Sequence, residues 1–137
     1  MNQRKLWANY GTKNATCRTT EHDLQKNVID YCKLKKILCF AIPNAQSLSF
    51  FDREKAARIV SKMKREGLTP GIPDLFFPIP NQKYHGLFIE MKTKNGKLSD
   101  NQKIWIDLLN KQGYLAIVCY SSSDAIKEID NYLNNKC

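Results

Sequence analysis

No run of apolar residues in this sequence approaches the length needed to cross a bilayer, and no apolar stretch follows Arg4 and Lys5 near the N-terminus. Neither a membrane span nor a secretory leader is expected. Cysteine is unpaired in pattern. The five, at 17, 32, 39, 119 and 137, are odd in number, include no C-x-x-C and lie partly within apolar runs, as buried free thiols do. That speaks for a reducing compartment and a soluble, cytoplasmic protein. Histidine is almost missing, and His22 and His85 are too far apart for helical ligand spacing, so both are expected to be ordinary surface residues. There is no internal repeat, linker or low-complexity segment, and 137 residues suffice for one core and not two. Acidic residues are outnumbered: 13 Asp and Glu against 22 Lys and Arg leave a net charge of +9. Such a surplus favours a polyanionic partner, nucleic acid first, since no long basic amphipathic stretch suits a membrane surface.

What is present centres on residues 70 to 92. Pro70-Gly71-Ile72-Pro73-Asp74-Leu75 leads into an apolar run, and Leu87-Phe88-Ile89-Glu90-Met91-Lys92 follows after a polar turn. Both halves read as β, with strands expected over 74–79 and 87–92. Side chains alternate in the second, so Leu87, Ile89 and Met91 face one way and Phe88, Glu90 and Lys92 the other. Charges on so apolar a strand require a partner, a hydrogen bond or a metal. An antiparallel hairpin with its turn centred in residues 80 to 86 brings Asp74 to Glu90 and Lys92. Two carboxylates and an ammonium at one point suit a hard divalent cation, whereas an E-x-K alone is equally an ion pair at a strand end.

The remaining elements frame this pair. Thr20 and Asp23 mark a helix start, and Leu24, Val28, Tyr31 and Cys32 form its apolar stripe. Glu21 lies on that stripe, where it either reaches the sheet or complements the helix dipole. Ile37 to Ile42 reads as a short buried strand ended by Pro43-Asn44. A helix over about residues 52–66 packs Ala56, Ile59, Val60 and Met63 and presents Lys55, Arg58, Lys62 and Arg65 opposite. That basic face is by default solvated, but Lys64 and Gly67 near the helix end lie close to the Pro70 turn, where phosphate contact becomes available. Lys94 and Lys97 flank an Asn-Gly turn. Ser99 caps a helix to about Gln112, with Ile104, Trp105, Leu108 and Leu109 as its core face, and Gln102 completes a capping box. A strand over 114–120 and a helix after Ser121–Ser123, with Ala125, Ile126, Ile129 and Leu133 inward, complete the order helix, strand, helix, strand, strand, helix, strand, helix.

Glu21, Pro73-Asp74, Glu90-Met91-Lys92 and Gln102, in this order and on these elements, resemble the PD-(D/E)XK nuclease superfamily. Within it the chain is similar to the compact stand-alone VRR-NUC domains carried by bacteriophages, which Gly71 to Leu75 and Gly113-Tyr114 also resemble. The resemblance implies an α/β fold with a restriction-endonuclease-like core, a central mixed sheet of about four strands flanked by helices. An N-terminal arm over 1–19 would precede a nuclease domain over 20–137, with the helix at 52–66 an addition to the core.

The resemblance further implies hydrolysis of DNA phosphodiester bonds, with branched DNA such as Holliday junctions as substrate. The cofactor would be Mg2+ or Mn2+ on Glu21, Asp74, Glu90 and the Met91 carbonyl, with no small-molecule cofactor. Lys92 would stand beside the attacking water, and Gln102 would hold water or substrate. Lys55, Arg58, Lys62, Arg65, Lys94 and Lys97 would contact nucleic acid. A homodimer is expected, with Trp7, Tyr10, Leu48, Phe50 and Phe51 as interface residues. The rival reading is a basic nucleic-acid-binding module that keeps the nuclease fold without its chemistry.

Overall fold

The computed structural model describes residues 18–48 and 51–135, the side chains of residues 46 and 47 apart. Trp7 and Tyr10 of the expected arm, and Phe50, lie outside the described residues. Thr20 opens α1 (Glu21–Lys35): its hydroxyl accepts the Asp23 N–H while the Asp23 carboxylate accepts the Thr20 N–H. Leu24, Val28 and Cys32 form the buried stripe. The helix stops at Lys36, whose φ of 56° is left-handed, and the Ile37 N–H turns back to Cys32 O at 2.8 Å. This exit consumes part of the run expected as a strand over 37–42. Only Phe40–Ala41 pairs, as β1, and both residues are exposed because β1 has a neighbour on one side only.

A short 3-10 turn, Ala45–Leu48, precedes α2 (Arg53–Arg65), which is capped by Asp52. Ala56, Ile59, Val60 and Met63 share one half-buried side, and α2 buries none of its residues fully. Then come β2 (Leu75–Phe77), β3 (Leu87–Met91), α3 (Asp100–Lys111), β4 (Leu115–Cys119) and α4 (Ser122–Asn134). The mixed sheet runs in the order β1-β2-β3-β4. The pairs β1/β2 and β2/β3 are antiparallel, and β4 joins β3 in parallel through the α3 crossover.

Each strand has two unlike faces. Leu87, Ile89 and Met91 are wholly buried against α1 and α4, with Val28, Ile129 and Tyr132 among the residues that meet them. The Tyr132 hydroxyl also donates to Ile79 O at 2.7 Å, an inward anchor on α4 beside the expected apolar positions. On the opposite face Phe76 stacks on its register partner Phe88 at 4.3 Å, with Phe40 and Tyr114 edge-on at either side. The start of α3 lies on this second face, since Gln102 reaches Glu90. Its expected core stripe is corrected by the structure: Ile104 and Leu108 are 55% and 41% exposed, while Trp105, Ile106 and Leu109 are half-buried. The helix rests on β4, the edge of the sheet, so half of a broad apolar stripe overhangs it. Asn110 secures that edge, accepting the Ala116 N–H and donating to Ala116 O, both at 3.1 Å.

Candidate active site

The register that pairs Leu75 with Ile89 sets Asp74 opposite Glu90 at the end of the β2/β3 ladder. Asp74 is held on two sides. Its Oδ2 accepts the Met91 N–H at 2.9 Å, and its Oδ1 accepts from Asn44 Nδ2 at 3.4 Å. The N–H and C=O of a strand residue leave on the same side, so the Met91 carbonyl also lies on the Asp74 side of β3. The turn before Asp74 is fixed by close packing. Gly71 has a φ of 95°, and a Cβ there would lie 2.6 Å from the Asn101 carbonyl carbon at the start of α3.

That contact seats the α3 N-terminus against the strand ends. Ser99 accepts the Gln102 N–H, and Gln102 Oε1 accepts the Ser99 N–H at 2.9 Å, which leaves Gln102 Nε2 to donate to Glu90 Oε1 at 2.6 Å. The side-chain amide thus meets the Glu90 carboxylate. Lys92 Nζ lies 3.0 Å from the same Glu90 oxygen and 3.4 Å from Glu21 Oε1. Glu90 and Lys92 are buried, and Glu21 is at the rim with its side chain 36% exposed. The Thr93–Lys97 turn passes over Glu21, close enough that a Cβ on Gly96 would be 3.2 Å from Glu21 Oε1. Glu21, Asp74, Glu90, Lys92 and Gln102 therefore surround one cleft of about 210 Å³, which α2 joins through Lys64.

Lys55, Arg58, Lys62, Arg65, Lys94 and Lys97 are exposed and none lines this cleft. Asn44 is the contributor that no motif singles out; the only sequence signal is its place after Pro43 at the end of an apolar run. His22 and His85 take no part, and the His85 ring instead sits on Gly113, where a Cβ would be 2.7 Å away.

Electrostatics in the cleft are strained toward neutrality. Burial, then the charge of Asp74, push the Glu90 carboxyl up to about 7 against the pull of Lys92. Burial also raises Asp74, although the Met91 N–H and Lys92 oppose it. For Lys92 burial works downward, but Glu90 and Glu21 prevail and the net shift is upward.

A divalent cation is compatible with these groups. Glu90 Oε2 is the one buried side-chain N or O atom among the described residues with no hydrogen-bond partner, and an orphaned carboxylate oxygen beside a second carboxylate is a place for a cation. Among the described residues no three His, Cys, Asp or Glu groups form a ready cage, and Lys92 Nζ stands within 3.4 Å of Glu21 and 3.0 Å of Glu90. The oxygen donors form an open set, as Mg2+ takes when it keeps several waters.

The VRR-NUC domain matches residues 19–123 of the chain. A solved structure of a VRR_NUC domain protein is similar, with 28% identity, a TM-score of 0.71, and coverage of 86% of this chain and 91% of that one. No curated protein matches. With its mixed sheet and flanking helices shared with that structure, and the domain match extending from α1 into the start of α4, the chain belongs to the VRR-NUC domain family, a family of nucleases.

Proposed function

We propose that this chain is a metal-dependent DNA endonuclease that hydrolyses phosphodiester bonds in branched DNA, four-way junctions first, and works as a homodimer. The observation that carries the chemistry is Glu90: one oxygen is clamped by Gln102 and Lys92, and the other is buried, bare and beside Asp74. Asp74 and Glu90 would hold Mg2+ or Mn2+, with Glu21 and the Met91 carbonyl at the margin, and the ion would neutralise the phosphate and acidify water.

The chain's own groups have separate tasks in this reading. Gln102 holds Glu90 at Oε1 and the Met91 N–H holds Asp74 at Oδ2, which fixes the two carboxylates. Lys92 projects a positive charge beside them, where it orients water and offsets charge growing on the phosphorane-like transition state. Net positive charge favours capture of DNA. The dimer is supported by apolar groups left in solvent, Leu34 at 79% and Leu38 at 62% exposure, with Phe51 also exposed.

The test is cleavage of a labelled four-way junction and a linear duplex of equal length, in Mg2+, Mn2+ or EDTA, with protomer mass measured alongside. Metal-dependent cutting that favours the junction, by a dimer, is expected. Equal cutting by a strict monomer would remove the junction and dimer elements. No cutting with intact DNA binding would leave the binding module.

A further inference from the structure

The cleft has a second end that the carboxylates do not use. Beside the carboxylates the lining is largely carbon, with Pro43 and Ala45 after β1, Leu68 beyond α2, and Pro70 and Ile72 in the turn before β2, interrupted by Asn44 and Thr69 and joined by exposed Lys64. These walls are built. The Leu68 N–H returns to Met63 O at 2.8 Å and the Gly67 N–H to Lys64 O at 3.2 Å, a Schellman stop that Gly67 permits with a φ of 104°. It fixes Leu68 relative to α2. On the other side, the seat of Gly71 on Asn101 fixes Pro70 and Ile72.

Resting on the nuclease reading, we propose that this apolar end receives one unstacked nucleoside adjoining the phosphate to be cut, so that the site selects DNA in which that nucleotide is unpaired. A phosphate placed there would lose its water with Lys64 and only the neutral groups of Asn44 and Thr69 to compensate, whereas the face of a base is satisfied by carbon contacts. The size sets the number. At about 210 Å³, carboxylate end included, the whole cleft lies below the usual range of drug-sized sites, roughly 300–1,000 Å³, so its apolar part has room for no more than one base. Its continuity with the carboxylates makes the occupant a neighbour of the scissile phosphate, and exposed Lys64 is placed to meet the phosphate on the far side of the sugar. Unstacking is least costly for a base that has no partner, which turns the pocket into a selector for branch points and mismatches.

The experiment uses the full chain and duplexes carrying 2-aminopurine at successive positions around the cut, in Ca2+, so that fluorescence reports unstacking upon binding independently of turnover. A rise confined to one position, abolished in Leu68→Phe and Ile72→Phe proteins that keep the wild-type circular dichroism, is expected. A mismatch at that position should raise wild-type cleavage by about tenfold or more. No rise at any position with DNA that the protein binds and cuts would overturn the pocket and leave the nuclease standing. A rise that survives both filled variants would equally overturn it, because the base would be unstacked elsewhere. If the DNA is bound but not cut, the nuclease reading fails, and the fluorescence still decides whether the pocket takes a base.

Discussion

Gln102 and Glu90 are joined by a 2.6 Å hydrogen bond whose direction is imposed by a helix cap: Gln102 Oε1 is occupied by the Ser99 N–H, so Nε2 must face the carboxylate. One side chain thereby starts α3 and orients Glu90. Gln102→Ala should remove half of the capping box, at about 0.5–1 kcal/mol, and free Glu90, with roughly a 10- to 100-fold loss of cleavage. Gln102→Glu can keep the cap but sets a second anion against Glu90. It should melt like wild type or slightly lower and still lose activity, and an active Gln102→Glu enzyme would count against the orienting role.

Gly71 and Gly67 offer a matched pair. Both have positive φ, but a Cβ on Gly67 meets nothing within 4 Å, while one on Gly71 strikes the Asn101 backbone. Gly67→Ala should therefore cost only the left-handed strain, about 1–2 kcal/mol. Gly71→Ala should cost more by urea denaturation and should also depress cleavage, because α3 and Gln102 must move. Equal losses for both variants would mean that the turn is not what seats α3.

The sequence carries the sheet better than the layers around it. Parity along Leu87 to Lys92 is readable because alternate side chains meet a closed core, and the same parity sets Asp74 across from Glu90. β1 is overestimated because the left-handed exit at Lys36 diverts an apolar run, and α3 is overestimated because its stripe is wider than the sheet edge beneath it. The approach of Lys92 to Glu21 spans 71 positions and depends on how α1 docks, which no local pattern encodes. Asn44 is hidden for the same reason.

Glu90 ties stability to pH. Its carboxyl is pushed up to about 7 in the folded chain from an ordinary 4.5, so folding favours the protonated form. The contribution is complete below the unfolded value and is lost as pH rises through the folded one. Metal-free protein should lose stability between about pH 5 and pH 8, by at most about 3 kcal/mol from this group, and Asp74 shifts in the same direction. Glu90→Gln should flatten the pH slope of the denaturation midpoint. A slope unchanged by that substitution would assign the effect to other groups.

Lys92→Ala separates binding from turnover. The lysine contacts both Glu21 and Glu90, so its loss leaves a buried carboxylate unpaired; breaking such pairs typically costs about 3–5 kcal/mol. Because Glu90 can take up a proton near neutral pH, the loss should fall at the lower end. Turnover should drop by about 100-fold or more with Mg2+ and DNA affinity largely kept, since the ammonium acts on charge that develops in the transition state. Lys94, exposed on the turn beyond, is the control, and a more damaging Lys94→Ala would reverse the assignment.

The basic face of α2 should supply affinity without selectivity. Arg58 and Lys62 are exposed and hold only weak partners, Glu54 at 3.5 Å and Glu66 at 3.8 Å, in pairs that contribute about 0–1 kcal/mol. Both are free to exchange those partners for phosphates. Arg58→Ala/Lys62→Ala/Arg65→Ala should weaken binding to every DNA and flatten the dependence of log affinity on log salt by up to about three ions' worth. Lys64 differs by facing the cleft. Lys64→Ala should change the slope by about one ion and lower cleavage as well, because the phosphate it meets belongs to the strand being cut. Competition between junction and duplex for each variant decides the matter: the triple variant should keep the wild-type ratio, and a ratio that collapses to unity would place branch recognition on the α2 face instead of in the clefts.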